Sequence, residues 1–433
     1  MKKHSISTWQ QRLQAISEVN MNNYRVFGQN VYISNNSRET GLNNNDLIIG
    51  QSGSSKTGSY VVPNLQVIDH SLIVADTKRL LYYNFRDSLR ARGFKVMMLD
   101  FKEPLSSVNS YNPLRFIRRN NDGSFREQDI ITIANSLVPI MDEHEPFWEQ
   151  AARSFLACMI GYVLEFTPAE NHSIVGVIRA FQDYCIPEKR EKFDLILVKH
   201  PHSFYSRKYA QMVSSQKAEK MWASIQAFVA EALNPFDAVE YNDLLIGNVD
   251  NQVDFAALGR SKAVLFLNVS DSDRTFDPLV NLLYTQAFQV LIREADMTDA
   301  GRLRVPVRFI LDDFATNTVI QDFDKLISVI RSREIYVSIV LQCKSQLESI
   351  YNTAVANTIA NNCDHTLYLG GHDRETAEYV AINADDSIEN VLTMPRDQAY
   401  LIETGTRARV IRKITPYSKV KARSDAPGNE PEV

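Results

Sequence analysis

Lys56 and Thr57 end the segment GQSGSSKTGSY, Gly50 to Tyr60. A lysine followed by a hydroxyl residue, at the close of a small-residue loop that starts on glycine, has the makings of a phosphate cradle. The pattern is G-x-x-x-x-G-K-[ST], in which backbone amides and the lysine meet phosphates and the hydroxyl meets magnesium. Gly50, Ser52, Gly53, Ser54, Ser55, Lys56 and Thr57 are the candidate nucleotide-binding residues. One position departs from the pattern: the residue before the lysine is Ser55, not glycine. A serine there adds a side chain where backbone and phosphate approach closely, at a cost in affinity.

A second element carries carboxylates. VRFILDD, Val307 to Asp313, is an apolar run ending in two acids, as a magnesium-holding strand end requires. Asp312 is the candidate metal partner with Thr57, and Asp313 the candidate that orients the attacking water. YVSIVLQ ends in Gln342, placed to sense a terminal phosphate. Each element alone also reads as an ordinary buried strand with a polar end. Their order along alternating strands of one sheet argues for a shared site. The cofactors expected are ATP and Mg2+.

Elements of the right kind flank these residues. DLIIG before the loop, SLIVADTK, FKVMMLDF, KAVLFLNV, YVSIVLQ and HTLYLGG are strand-length apolar runs. RLLYYNFRDSLRARG between two of them is an amphipathic helix closed by Gly93. Strand, helix and strand in alternation predict an α/β fold with a parallel sheet. From about residue 125 to 245 the spacing becomes helical throughout, as in PFWEQAARSFLACMIGYVLEF and SQKAEKMWASIQAFVAEAL. An all-α domain over 115–255 is therefore expected inside an α/β domain formed by 46–114 and 256–415. A 1–45 extension (short helix, the strand YRVFGQNVYIS, polar loop) precedes it, and a disordered tail over 416–433 follows.

Composition limits the alternatives. The 433 residues, 44% hydrophobic with a net charge of −5, describe a globular chain without a global basic coat. Four scattered cysteines form no C-x-x-C pair, which points to a reducing compartment and away from a cysteine zinc site. His200 and His202 read as a solvent-facing loop. No run of 18 apolar residues occurs, so no membrane span is expected.

The blocks GQSGSSKTGSYVVPNL, IVADTK, NSYNPL, PFWEQA, FILDDFA, SREIYVSIVLQCKSQLESIY and NNCDHTLYLGGHDRETAEYVA together resemble the TraG-like type IV coupling proteins over residues 45 to 415. These are conjugation ATPases that bring DNA and relaxase to a secretion channel. The resemblance implies a RecA-like P-loop NTPase domain, hexameric ring assembly, and relaxase, DNA and membrane channel proteins as partners. Glutamate is usual at Asp313 and glycine at Ser55, and no stretch of this sequence is expected to serve as the usual N-terminal membrane anchor. The shorter acid places its carboxylate about 1 Å back, an error that costs roughly 100-fold in rate. The expectation is an ATP binder with slow or conditional hydrolysis. It would be monomeric in isolation and cytoplasmic, held at the inner face of the membrane through a partner.

In a ring ATPase a neighbour's arginine faces the transferring phosphoryl group. Arg374 is the first candidate, followed by Arg331 and Arg333, although each also reads as a surface ion-pair arginine. Phe147 and Trp148 are expected to pack in a core rather than stack on a base. The basic RFIRRNN, 115–121, is read as a solvated loop in preference to a DNA contact.

Overall fold

The computed structural model describes residues 24–140, 144–216, 218–246, 249–270, 272–314 and 319–414. The expected N-terminal helix and C-terminal tail lie outside these residues. The chain divides into two compact units. Unit 1 comprises 1–96, 256–266 and 291–433, and unit 2 comprises 97–255 and 267–290.

The sheet is built from the apolar runs. Its strands are β3 (Asp46–Ile49), β4 (Ser71–Ala75), β5 (Lys95–Asp100), β6 (Ala263–Asn268), β7 (Val307–Leu311), β8 (Ile335–Leu341), β9 (His365–Tyr368), β10 (Gln398–Glu403) and β11 (Arg409–Arg412). They lie in the order β11-β10-β9-β3-β8-β7-β4-β6-β5. β3 runs parallel to both β8 and β9, and β7 runs parallel to β4 and β8. β4, β6, β7 and β8 are buried at every position, the signature of a sheet covered on both faces. β10 and β11 close one edge antiparallel.

YRVFGQNVYIS is two strands, not one. β1 (Tyr24–Gly28) and β2 (Val31–Ser34) pair antiparallel around Gln29 and Asn30, and Asn30 takes the left-handed conformation at φ +60°. The hairpin is tied to the helix after the loop by Asn64. Its side chain accepts from the Val26 amide at 3.0 Å and donates to the carbonyls of Val26 and Tyr60.

That helix opens with a π-helical turn, Thr57–Val61, and continues as α1 (Val62–Val67), whose second residue is Pro63. α2 (Leu80–Ala91) buries Leu81, Tyr82, Phe85 and Leu89 along one stripe, and Gly93 beyond its end sits at φ +85°.

Unit 2 is helical apart from the sheet residues at its ends. Its central helix, α3 (Phe147–Phe166), is buried without interruption from Phe155 to Leu164. The helices Glu127–Leu137, Ile174–Cys185, Phe204–Gln216 and Glu219–Leu233 pack around it. Phe155, Tyr184 and Trp222 meet ring to ring in this core. Phe147 departs from the expected core position: it is 54% exposed, while its neighbour Trp148 stacks on Phe228. Among the described residues no helix is long and apolar enough to cross a membrane.

Candidate nucleotide site

All the candidate loop, acid, glutamine and arginine residues fall in unit 1. The loop leaves the carboxyl end of β3 and is pinned at once. Gly50 donates to the Leu341 carbonyl at 3.0 Å, and Gln51 donates to the Gly370 carbonyl at 3.0 Å. The first loop position has room only for glycine. A Cβ on Gly50 would stand 2.4 Å from Ser54 Oγ and 2.9 Å from Leu369 Cβ. Ser52 and Gly53 form the exposed tip, with Gly53 at φ +79°. Ser55 follows at φ +71°, a left-handed backbone that glycine adopts freely and serine adopts at about 1 kcal/mol or more.

Lys56 is buried and turns back across the loop, its ammonium donating to the Gly50 carbonyl at 2.8 Å. Thr57 donates its hydroxyl to Asp312 Oδ2 at 2.6 Å. The loop and the acidic strand end, 255 residues apart in sequence, are thereby joined. Burial pushes the Asp312 carboxyl up to about 6; Thr57 opposes the shift and Asp313 adds to it. Asp313 lies in the left-handed region, at φ +50°.

β8 lies between β3 and β7, so Gln342 emerges between the loop and the acids. Its backbone N–H donates to Gln346 Oε1 at 2.8 Å. Arg374 is placed elsewhere: it opens the helix Arg374–Ala384, beyond Gly370 and Gly371, and is 80% exposed along its side chain. It pairs with Glu378 one turn on. Arg331 and Arg333 precede β8 and therefore lie at the sheet end opposite the loop. Arg331 donates to the Gly41 carbonyl and Arg333 pairs with Asp296.

The residues fit a bound nucleotide and metal. Ser54 Oγ, inside the loop, is buried and has no hydrogen-bond partner among the described residues. A hydroxyl and a carboxylate, the usual hard-cation donors, converge at Thr57 and Asp312.

Sequence reasoning missed a buried charge network at the other end of β3. Asp46 is fully buried between Arg25 Nε at 3.0 Å and Arg308 Nη1 at 2.8 Å, and it accepts from Tyr60. Arginines embedded in the apolar runs YRVFG and VRFIL were the available signal. In the basic 115–121 stretch Arg118 is held by Asp129, and Arg119 lies over the Phe125 ring.

A parallel sheet with a glycine-led loop at one strand end, paired acids two strands away and an all-α domain define a RecA-like P-loop NTPase fold. The chain belongs to the type IV secretory system conjugative DNA transfer family, whose sequence model matches residues 1–383. Two solved structures of the plasmid coupling protein TrwB are similar to it at 15% identity. The form with a non-hydrolysable GTP analogue has a TM-score of 0.63 over 90% of this chain and 88% of that one. The form with ADP and Mg2+ has a TM-score of 0.60 over 85% and 84%. VirB4 of Thermoanaerobacter pseudethanolicus is similar at 13% identity and a TM-score of 0.51, over 87% and 91%. These likenesses speak for the fold. No curated protein matches the chain.

Proposed function

We propose that this chain is an ATP-dependent coupling protein that recruits a DNA–relaxase substrate and drives it into a type IV secretion channel. The observation that carries the reading is the Thr57–Asp312 hydrogen bond, which sets the loop and the acidic strand end on one point. Bound ATP with Mg2+ supplies the phosphoanhydride bond whose cleavage powers transfer. Lys56 supplies positive charge against the phosphates, and the loop amides and Ser54 hydroxyl hold their oxygens. Thr57 and Asp312 hold the metal, Asp313 orients water and Gln342 senses the terminal phosphate. Arg374 serves the neighbouring subunit of a hexamer. The segments 46–114 and 256–415 form the motor domain, and 115–255 the all-α domain. Channel proteins hold the chain at the inner face of the membrane.

A second reading rests on the left-handed backbones of Ser55 and Asp313, the two positions that depart from the family pattern. In it the chain binds nucleotide without turnover and acts as an adaptor for relaxase or effector substrates. Steady-state ATPase with and without single-stranded DNA separates the two. Stimulated turnover that vanishes in Lys56→Ala supports the motor. Tight ATP binding with no turnover supports the adaptor. Unchanged ATP affinity in Lys56→Ala, by calorimetry, removes the nucleotide site from both.

A further inference from the structure

A cavity of about 510 Å3 lies within unit 2. Leu114, Ile117 and Leu164, all buried, and the half-buried Ile246 form its apolar floor. Arg115, Arg119 and Glu170, all exposed, stand at its rim with the half-buried Phe125. The basic 115–121 stretch therefore lines a cavity with two of its arginines.

Local structure holds one of them in place. Arg119 and Phe125 are bridge partners across a tight antiparallel turn that includes Gly123, at φ +84°. Residues directly opposite each other in such a pair stand on one face, and the Arg119 guanidinium lies 4.0 Å from the centre of the Phe125 ring. Its Nη1 donates to the Gly123 carbonyl at 2.7 Å. Ring and carbonyl restrict the side chain in advance, so less freedom is lost when a ligand arrives. The other N–H donors of the fork remain open to one.

Charge narrows the ligand. Arg118 next door has its carboxylate in Asp129. Arg115 and Arg119 pair with no acid among the described residues, and the Arg115 guanidinium makes no hydrogen bond there either. Glu170 lines the same cavity and pairs with neither arginine, so the rim carries two positive charges against one negative. Polar groups deeper in the wall are engaged by the fold: Asn112 donates to the His172 carbonyl and accepts from the Leu114 amide, and Gln252 donates to the Ile246 carbonyl. The arginines are left to meet a charge. A surplus of one positive charge over an aliphatic floor suits a monoanion with an apolar body. A nucleic-acid strand, with a charge on every phosphate and a polar sugar between, would bring repeated charge against Glu170 and leave the floor unfilled.

We propose that this cavity is a ligand site, distinct from the nucleotide loop, for a small monocarboxylate whose apolar body lies on Leu114, Ile117, Leu164 and Ile246 and whose carboxylate is held by Arg115 and Arg119. The planar guanidinium fork matches the edge of a carboxylate. The volume falls within the 300–1,000 Å3 of ordinary small-molecule sites, so the ligand is of metabolite dimensions.

The test is saturation-transfer NMR on the full chain with 4-phenylbutyrate and, separately, its uncharged analogue 4-phenylbutyramide. The acid should bind saturably, with Kd of about 1 mM or tighter, and the amide about tenfold or more weaker. Arg115→Ala removes an exposed side chain with no partner in the fold and should weaken the acid about tenfold without changing the amide. Arg119→Ala should act in the same direction. No saturable binding of the acid overturns the proposal. So does equal binding of acid and amide, or acid binding that both substitutions leave unchanged.

Discussion

Thr57 and Asp312 share one proton bridge, 2.6 Å from hydroxyl to carboxylate, and through it the phosphate loop is fastened to the acidic end of β7. The bridge leaves Asp312 with a carboxyl titrating at about 6, because removal from water favours its neutral form more than Thr57 favours its charge.

A pH dependence follows. Metal binding needs the carboxylate, so below about pH 6 a proton competes, and Mg2+-dependent nucleotide affinity should fall up to tenfold per pH unit. The fold responds with the opposite sign. The folded value lies above the unfolded 3.8, so from this group alone the native state gains stability as pH falls from 7 towards 4. Calorimetry of ATP with Mg2+ between pH 5 and 8 should show the step, and Asp312→Asn should weaken binding and remove it. A pH-independent affinity in the unaltered chain would falsify the metal role.

Ser55→Gly should relieve a left-handed residue and clear the hydroxymethyl group from the loop. The strain released, about 1–2 kcal/mol, is partly offset by the freer unfolded glycine, about 0.4–1 kcal/mol, so stability rises by a fraction of that. Nucleotide affinity or turnover should gain more, several-fold. Weaker binding and slower turnover together would mean that Ser55 is an adaptation of this loop and not a defect.

The site was legible because its residues sit at the ends of continuous apolar runs. Lys56, Thr57, Asp312 and Gln342 come together because DLIIG, VRFIL and YVSIVL are strands whose only sensible home is a covered parallel sheet. The conformations of Ser55 and Asp313 were not legible, since a positive φ at a non-glycine residue is imposed by the surrounding fold. β10 and β11 escaped notice for another reason. QAYLIE is partly exposed at both ends and RVIR buries one residue of four, so the edge lacks the apolar run that marked the centre. The turn at Gln29 and Asn30 was hidden inside what read as one strand. Charges inside apolar runs deserved more weight, since Arg25 and Arg308 prove to be among the largest fully buried side chains.

Those two arginines give a stability prediction. Asp46 is the carboxylate between them, and all three side chains are fully buried. Asp46→Asn keeps the shape and removes the charge, leaving two guanidinium groups in the interior with no anion against them. Breaking one member of such a buried set costs about 3–5 kcal/mol. Unfolding of the variant, followed by urea titration with circular dichroism, should show a correspondingly lower midpoint. A change below about 1 kcal/mol would mean that Tyr60, His365 and the surrounding amides carry the arginines without it.

The last prediction concerns what one chain lacks. Within its own chain Arg374 opens a helix beyond β9 and, among the described residues, pairs with Glu378, so it is not among those that meet at the loop. β9 is nonetheless the neighbour of β3, and Arg374 follows its carboxyl end, on the same side of the sheet as the loop. Arg331 and Arg333, at the opposite end and already engaged, are poorer candidates. If Arg374 completes a neighbour's site, turnover per subunit should rise with protein concentration, and Arg374→Ala should flatten that rise while ATP affinity stays nearly intact. Removing an arginine of this kind costs about 10³–10⁵ in rate where it faces the transferring phosphoryl group. Mixing the Arg374→Ala chain with the Lys56→Ala chain separates a shared site from a private one. An intact loop from the first and an intact arginine from the second meet at some of the interfaces. Turnover recovered in the mixture supports the shared site. With both chains folded and assembled, no recovery rules Arg374 out of that role.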